Sequence, residues 1–459
     1  MFFFAKRNKI LLFICVNTKN VVPLHTLMKH FVSKIWNSPS VRDVGKLLSA
    51  NVIAQALGLL IYPILTRLYS PEDFGLLSLF MSIGGILVLL ATWEWYNAIV
   101  LPKKEEEACA IVHICLVSIG ALTAILLITI PLSGYIAQLF KSPRLAQFYC
   151  LLPLYVLLMS LWNVLNYWYI RYKAYGRISG YQISQSLFSA GYKTGFGALG
   201  WAPGGLIWGS VLSPLCALII SIALSAKKFL RPLFEWDWKA CKETARKYGN
   251  FPKYSTPRVL LNSVATQLPV LLLTPLFGAT SVGFWGMAIL LTFTPINMLT
   301  KALYQVLYQY MTERVQKGMP ILGYYKSFLW MMVGGTIALQ ILLFFPLPML
   351  VNWFLGEGWS VTGQLIRWTF PWMLFYVLTF TTGFIPDIFA KQKAELFFEV
   401  ILAGLRILGL VAGIFGKSFE YAIAGYCVGS AIGTLARFIW QTMLVRQYEQ
   451  TLTPGSSSI

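Results

Sequence analysis

Lys193 and Lys301 each interrupt a long apolar stretch of this chain. A charge at the centre of a membrane helix costs at least about 2.5–3.5 kcal/mol on insertion scales, so such residues face a wet cavity or a partner. Both lysines belong to polar stripes at helical spacing. Gln182, Gln185, Ser186 and Ser189 lead to Lys193, while Asn297, Lys301, Gln305 and Gln309 recur at four-residue steps. Two further stripes carry arginine: Asn51, Gln55, Tyr62 and Thr66 run to Arg67, and Arg258 leads to Asn262 and Thr266. Lys and Arg donate charge-assisted hydrogen bonds to anions, and amides and aromatic rings suit hydroxyl-rich groups. One reading is a hydrophilic cleft with cationic anchors at Arg67, Lys193, Arg258 and Lys301 and amide contacts at Gln55 and Asn262. The other is structural: Asn and Gln hydrogen-bond between packed membrane helices, and arginines at span ends reach head groups. The amides fit both readings. A full charge at 193 and 301 favours the cleft, because packing does not need one.

Three acids, Glu94, Asp387 and Glu399, lie in or near the same apolar stretches. They are candidates for proton or sodium coupling, or for pairing with Arg406 or Arg437. Glu399 and Arg406 share a helix face but stand about 10 Å apart by rise, too far for direct contact. No cofactor is expected. The three histidines, His25, His30 and His113, form no ligand spacing, and the seven cysteines are scattered without a CxxC pair, so no metal site is expected. Gly413-Ile-Phe-Gly416-Lys417-Ser418 lacks the first glycine of a phosphate-binding loop, because Val411 stands there.

Such stripes need apolar helices to carry them. The 459 residues are 57% hydrophobic and only 12% charged, with a mean hydropathy of +0.66. A soluble domain is roughly a quarter charged, so a cytosolic enzyme, a disordered chain and a disulfide scaffold are excluded. The composition predicts an all-α polytopic membrane protein. A span needs about 20 apolar residues, and twelve segments qualify: 47–66, 75–101, 108–131, 145–170, 178–199, 203–226, 259–277, 281–311, 327–351, 363–390, 394–415 and 421–445. With the N-terminus inside, 28 of the 37 Lys and Arg fall on the cytoplasmic side and 4 outside, the rest lying in spans. That asymmetry places both termini in the cytoplasm. It also accounts for the net charge of +20 without nucleic acid.

The expected organisation is a cytoplasmic segment 1–39, a six-helix bundle 40–226, a basic cytoplasmic linker 227–258, a second bundle 259–445 and a cytoplasmic tail 446–459. Residues 1–27 fit neither a span nor a signal peptide. They read either as an upstream mis-assigned start, with Met28 the true one, or as an interfacial helix. Matched features relate the halves. Gln55 and Pro63 recur as Gln267 and Pro275, Gly197-xx-Gly200 as Gly413-xx-Gly416, and Arg171-x-Lys173-Ala174 as Lys391-x-Lys393-Ala394, at offsets of 212, 216 and 220. Six spans per half make the repeat parallel, which predicts two pseudo-symmetric bundles around a central cleft.

The stretch Tyr62-Pro63-Ile64-Leu65-Thr66-Arg67-Leu68-Tyr69-Ser70-Pro71-Glu72-Asp73-Phe74-Gly75 resembles the first hairpin of bacterial oligosaccharide flippases. These are the O-antigen, Wzx-type members of the multidrug/oligosaccharidyl-lipid/polysaccharide exporter superfamily. Ala98 to Lys103, Tyr248 to Tyr254, Leu260-Leu261-Asn262 and Phe277-Gly278 extend the resemblance over about residues 40–445. It implies a non-enzymatic flippase of the bacterial cytoplasmic membrane. The implied cargo is a polyprenyl-diphosphate-linked glycan for surface polysaccharide or lipopolysaccharide. Membrane lipid and other polysaccharide assembly proteins are the further partners implied. On this reading the Lys and Arg anchors hold the diphosphate. The alternatives are a drug/cation antiporter of the same superfamily, which favours an acidic cavity, and a membrane sugar polymerase or glycosyltransferase, which needs larger outside loops.

Overall fold

The structure is a computed structural model, and it describes residues 55, 56, 58–225, 236–249, 251–389 and 391–452. Expectations about the segment 1–39, Asn51 and linker residues 226–235 lie outside these, as do the side chains of Gln305 and Gln309.

Among the described residues every regular element is helical. The principal helices are α1 (Tyr62–Leu68), α2 (Pro71–Thr92), α3 (Glu105–Ile128), α4 (Leu152–Arg171), α5 (Tyr175–Ala198) and α6 (Gly204–Ser225). Then come the two limbs of Thr256–Gln316: α7, residues 256–277, and α8, residues 279–316. The chain closes with α9 (Leu322–Phe344), α10 (Ser360–Thr381), α11 (Gln392–Phe415) and α12 (Phe419–Leu452). Seven helices are long and apolar enough to cross a membrane, or eight when the bent pair Pro143–Tyr149 and Leu152–Arg171 counts as one span. The sequence predicts twelve. The difference has local causes: α5, with its polar stripe, and α10 are not among the seven, only part of the first segment is described, and α7 and α8 run together as one helix.

Local chemistry sets the breaks. Ser70-Pro71-Glu72-Asp73 starts α2. Ser70 accepts from the Asp73 amide, the Asp73 carboxylate accepts from the Ser70 amide, and Pro71 sits at the first helical position. The far end of α2 stops at Trp93 and Glu94, both left-handed with φ of 47° and 59°. Such a conformation is uncommon outside glycine. Here the buried Glu94 carboxylate offsets it by accepting from Tyr96 Oη at 2.6 Å and Asn97 Nδ2 at 2.5 Å. Gly278, at φ 83° and ψ 165°, is the single non-helical residue between α7 and α8. Arg367 of α10 ends α9 early by donating to the Phe344 and Phe345 carbonyls. That gives one charge counted inside a span a structural job.

The two halves meet backbone to backbone. A Cβ on Gly283 would lie 1.8 Å from the Pro71 carbonyl oxygen, and one on Gly286 would lie 2.3 Å from Ser78 Oγ. Glycine at the seam lets α2 and α8 approach this closely. Ser82 of α2 also donates to the Gln267 amide oxygen of α7 at 3.2 Å. Beyond the seam, Trp359 stands edge-on between Phe74 and Phe284, at 5.4 and 5.6 Å between centroids.

Within each half one helical hairpin crosses at matched places. A Cβ on Gly425 would lie 2.1 Å from the Gly409 oxygen, so α11 and α12 touch through glycine. At the same offset of 216, Gly209 of α6 meets Lys193 of α5, whose Cγ is 2.6 Å from a Cβ built there. The first half thus has a lysine stem where the second has glycine.

Candidate functional site

The polar stripes of α1 and α5 converge. Gln55 and Tyr62 on one side and Gln182, Gln185 and Ser186 on the other line an open cavity of about 320 Å³, with Leu290 and Thr294 of α8 also in its wall. A second cavity of about 230 Å³ shares Gly58, Tyr62, Gln185 and Ser186 with the first. It continues to Ser189, Lys193, Ser210, Ser213 and Tyr155. The 3.6-residue period put the α5 side chains on one face, and the α5–α6 crossing turns that face inward. The polar groups of the lining are amides and hydroxyls, set among apolar side chains such as Leu59, Ile61, Leu65, Met81 and Met159. The one charge in the lining among the described residues is Lys193, and no carboxylate lines either cavity. The Gln182 amide oxygen is buried without a hydrogen-bond partner among the described residues.

The backbone around Lys193 is fixed: Tyr69 Oη donates to its carbonyl at 2.7 Å. Its stem lies against Gly209, which leaves room for four methylenes at a helix crossing. Among the described residues Lys193 forms no ion pair. The ammonium therefore stands in a half-buried chamber of mixed polar and apolar lining, with no counter-charge among the described residues.

The other expected anchors do not line these cavities. Arg67 is exposed at the end of α1 and donates to the Pro63 carbonyl one turn back. Its neighbour Thr66 donates to the Leu355 carbonyl at 2.5 Å, which fastens α1 to the second half. Arg258 and Lys301 are exposed on α7 and α8. Asn262 points into the second half, where its Nδ2 donates to Glu399 Oε2 at 2.7 Å.

Glu399 belongs to an ion cluster. Arg437 of α12 donates to Glu399 Oε1 at 2.6 Å and to Glu395. Thr266, four residues after Asn262, donates to the Asn262 carbonyl at 2.8 Å and accepts from Arg406 Nη1 at 3.3 Å. Arg406 also lies 5.6 Å from the Trp372 ring centre. A polar chain thus runs from Glu395 through Arg437, Glu399, Asn262 and Thr266 to Arg406. Two glutamates and two arginines balance in charge, and α7 bridges the gap between Glu399 and Arg406. Glu94 differs: its donors are neutral, and no cation pairs with it among the described residues. Asp387 is exposed in the short helix Ile385–Ile388. Among the described residues no group of three or more His, Cys, Asp or Glu is placed to hold a metal.

Sequence reasoning missed Glu395, Tyr155, Ser210, Ser213 and Thr294. Glu395 carries a sequence signal, since it lies four residues before Glu399 on one helix face. The small hydroxyl residues carry none, because serine in an apolar helix is common packing.

The sequence profile of the family described as "Polysaccharide biosynthesis protein" matches residues 64–364. No curated protein matches the chain. The fold is similar to that of an inward-facing multidrug resistance MATE family transporter of the MOP superfamily, with a TM-score of 0.66 and 17% identity over 86% of this chain and 96% of that one. It is also similar to the lipid II flippase MurJ in an inward closed conformation, with a TM-score of 0.65 and 12% identity over 88% of this chain and 90% of that one. A MOP superfamily transporter from Pyrococcus furiosus gives 0.59 and 15% over 90% and 98%.

Proposed function

Because the chain belongs to the polysaccharide biosynthesis protein family, we propose that it is a flippase of the bacterial cytoplasmic membrane. It moves a polyprenyl-diphosphate-linked oligosaccharide from the inner to the outer leaflet by alternating access, for surface polysaccharide assembly. The observation that carries this reading is the chamber whose amides and hydroxyls lie among apolar side chains, with Lys193 its one charge and in no ion pair among the described residues.

The head group must cross about 30 Å of hydrocarbon, so protein groups have to replace its water. The Lys193 ammonium takes the diphosphate charge. Gln55, Gln182 and Gln185 exchange hydrogen bonds with sugar hydroxyls, and the orphan Gln182 oxygen accepts one. Tyr62 offers a ring to the pyranoses, while the polyprenyl tail stays in the bilayer. The glycine seam of α2 and α8 shuts the end of the chamber that the Lys/Arg asymmetry assigns to the outside. Loading is therefore from the cytoplasmic side, and release requires the seam to part. Glu94, buried among neutral donors, takes the role of coupling residue for proton or sodium. Glu399 stabilises the second half through Arg437. A cationic drug as cargo is disfavoured, because no carboxylate lines either cavity.

The test is translocation of a fluorescent polyprenyl-diphosphate oligosaccharide in proteoliposomes, read by accessibility to an added impermeant glycosidase. Protein-dependent flipping that the free diphosphate sugar inhibits supports the reading. Flipping absent here, together with proton-driven uptake of a cationic dye, would replace it with the antiporter.

A further inference from the structure

The linker between the halves carries a ten-residue helix, Trp238–Lys247, that the transport reading leaves without a role. Asp237 caps it, accepting from the Lys239 and Ala240 amides at 2.8 and 3.2 Å. One face is buried on α3: Cys241 and Thr244 are both covered, and Cys241 Sγ is 3.7 Å from the Ala110 carbonyl. Two contacts fix its direction. Lys247 Nζ pairs with Glu107 at 2.8 Å in the first turn of α3. Trp236, just before the helix, stacks on His113 at 4.2 Å. Glu107 and His113 are six residues apart, or about 9 Å along the α3 axis.

α3 passes from three glutamates straight into an apolar run, so its Glu105 end is the water end. The linker helix therefore has its tryptophan end about 9 Å deeper than its basic end. Trp236 and Trp238 are 42% and 66% exposed, with centroids 5.2 Å apart, and form an open indole pad. Lys239, Lys242 and Arg246 are exposed on the face opposite Cys241 and Thr244, with Glu243 the acid among them. Lys247 is already engaged by Glu107. Indoles at the deeper end, with Lys239 beside them and Lys242 and Arg246 above, are the arrangement of an inclined helix reaching into a membrane interface.

We propose that the helix Trp238–Lys247 binds anionic phospholipid head groups of the adjoining leaflet through Lys239, Lys242 and Arg246, with Trp236 and Trp238 seated at the level of the glycerol backbone. It thereby fastens the α3 side of the first half to that leaflet. The partner is anionic lipid because on the open helix face Lys239, Lys242 and Arg246 stand against Glu243 alone, Asp237 being engaged as the cap, while the neighbouring surface is two indoles, which a soluble acidic partner would leave unfilled. The inference rests on α3 being a span and is independent of the cargo. The Lys/Arg asymmetry makes the leaflet the cytoplasmic one.

The test uses full-length protein in detergent titrated with phosphatidylglycerol or phosphatidylcholine, read as thermal midpoint and as lipids retained in native mass spectrometry. The variant Lys239→Gln/Lys242→Gln/Arg246→Gln leaves the buried face and the Glu107–Lys247 pair intact. Phosphatidylglycerol should raise the midpoint of the wild type by several degrees more than phosphatidylcholine. The excess should vanish in the triple variant and shrink at high salt, since the sites are exposed. A spin label at Trp238→Cys in vesicles should be relaxed by oxygen more than by a water-soluble nickel complex. Equal retention of phosphatidylglycerol by wild type and variant overturns the proposal. So does a water-exposed label at 238, or an equal effect of free glycerol phosphate.

Discussion

A Cβ on Gly75 would lie 1.8 Å from the carbonyl oxygen of Ala279, so these two backbones touch with nothing between them. The contact of Gly283 with Pro71 is its counterpart. Each partner of the first pair is 208 residues from a partner of the second, so the seam is a reciprocal crossing of equivalent helix ends. Gly75→Val and Gly283→Val cannot be accommodated without parting α2 from α8. We expect a stability loss of about 1–3 kcal/mol, the usual range for overpacking. We also expect faster labelling of Ser186→Cys by an impermeant maleimide from outside the cell. Unchanged labelling in a normally accumulated variant would show that the seam does not close the chamber.

Lys193 and Lys301 separate in the structure, and their variants should separate too. Lys193→Gln removes the charge of the chamber, and a charge-assisted hydrogen bond contributes about 1.5–3 kcal/mol net. Cargo affinity should fall roughly 10–100-fold at a normal protein level. Lys193→Arg keeps the charge but adds volume beside Gly209, so partial activity is expected. Lys301→Gln, exposed and outside both cavities, should flip at near wild-type rate. Export surviving Lys193→Gln while failing in Lys301→Gln would move the anchor to α8.

The cluster around Arg437 predicts a stability effect. Arg437→Gln leaves Glu395 and Glu399 buried without their cation, and breaking a buried pair costs about 3–5 kcal/mol. Asn262→Leu removes one hydrogen bond to Glu399 and should cost about 1–3 kcal/mol. Thermal midpoints in detergent measure both. If Asn262→Leu melts like wild type but loses flipping, Asn262 contacts cargo after all.

Native cysteines report topology. Cys150 is exposed at the bend between Pro143–Tyr149 and Leu152–Arg171, at the end of that span which the charge split assigns to the outside. Cys241 lies on the opposite side and is buried, and burial, with Asp237 adding to it, pushes its thiol above the ordinary value. Only the thiolate reacts, so at neutral pH Cys241 should resist labelling even in opened cells, and its rate should rise with pH. An impermeant maleimide should modify Cys150 in intact cells. Labelling of Cys150 only after permeabilisation would invert the orientation.

Much of this molecule was legible as sequence because helix formation and membrane insertion depend on near neighbours. The low charge content, the apolar runs and the 3.6-residue spacing of Gln182, Gln185, Ser186, Ser189 and Lys193 determined the all-helical, multi-span class and the polar face of α5. Breaks were less legible. Trp93 and Glu94 end α2 inside a continuous apolar run because Tyr96 and Asn97 fold back on the carboxylate. Arg367 ends α9 from another helix. Which polar residues meet the cleft was decided by tertiary structure alone. Gln55 and Gln267 occupy matching places in the repeat, yet one lines the cavity and the other bonds Ser82. Asn262 resembles a cleft residue by spacing, but Glu399, 137 positions away, takes its amide. A polar side chain in an apolar helix must find a partner, and helical spacing gives only the face on which it looks. Whether that partner is an ion pair or an open chamber depends on which helices pack there, and that is set by contacts such as Gly75 with Ala279, far apart in the chain.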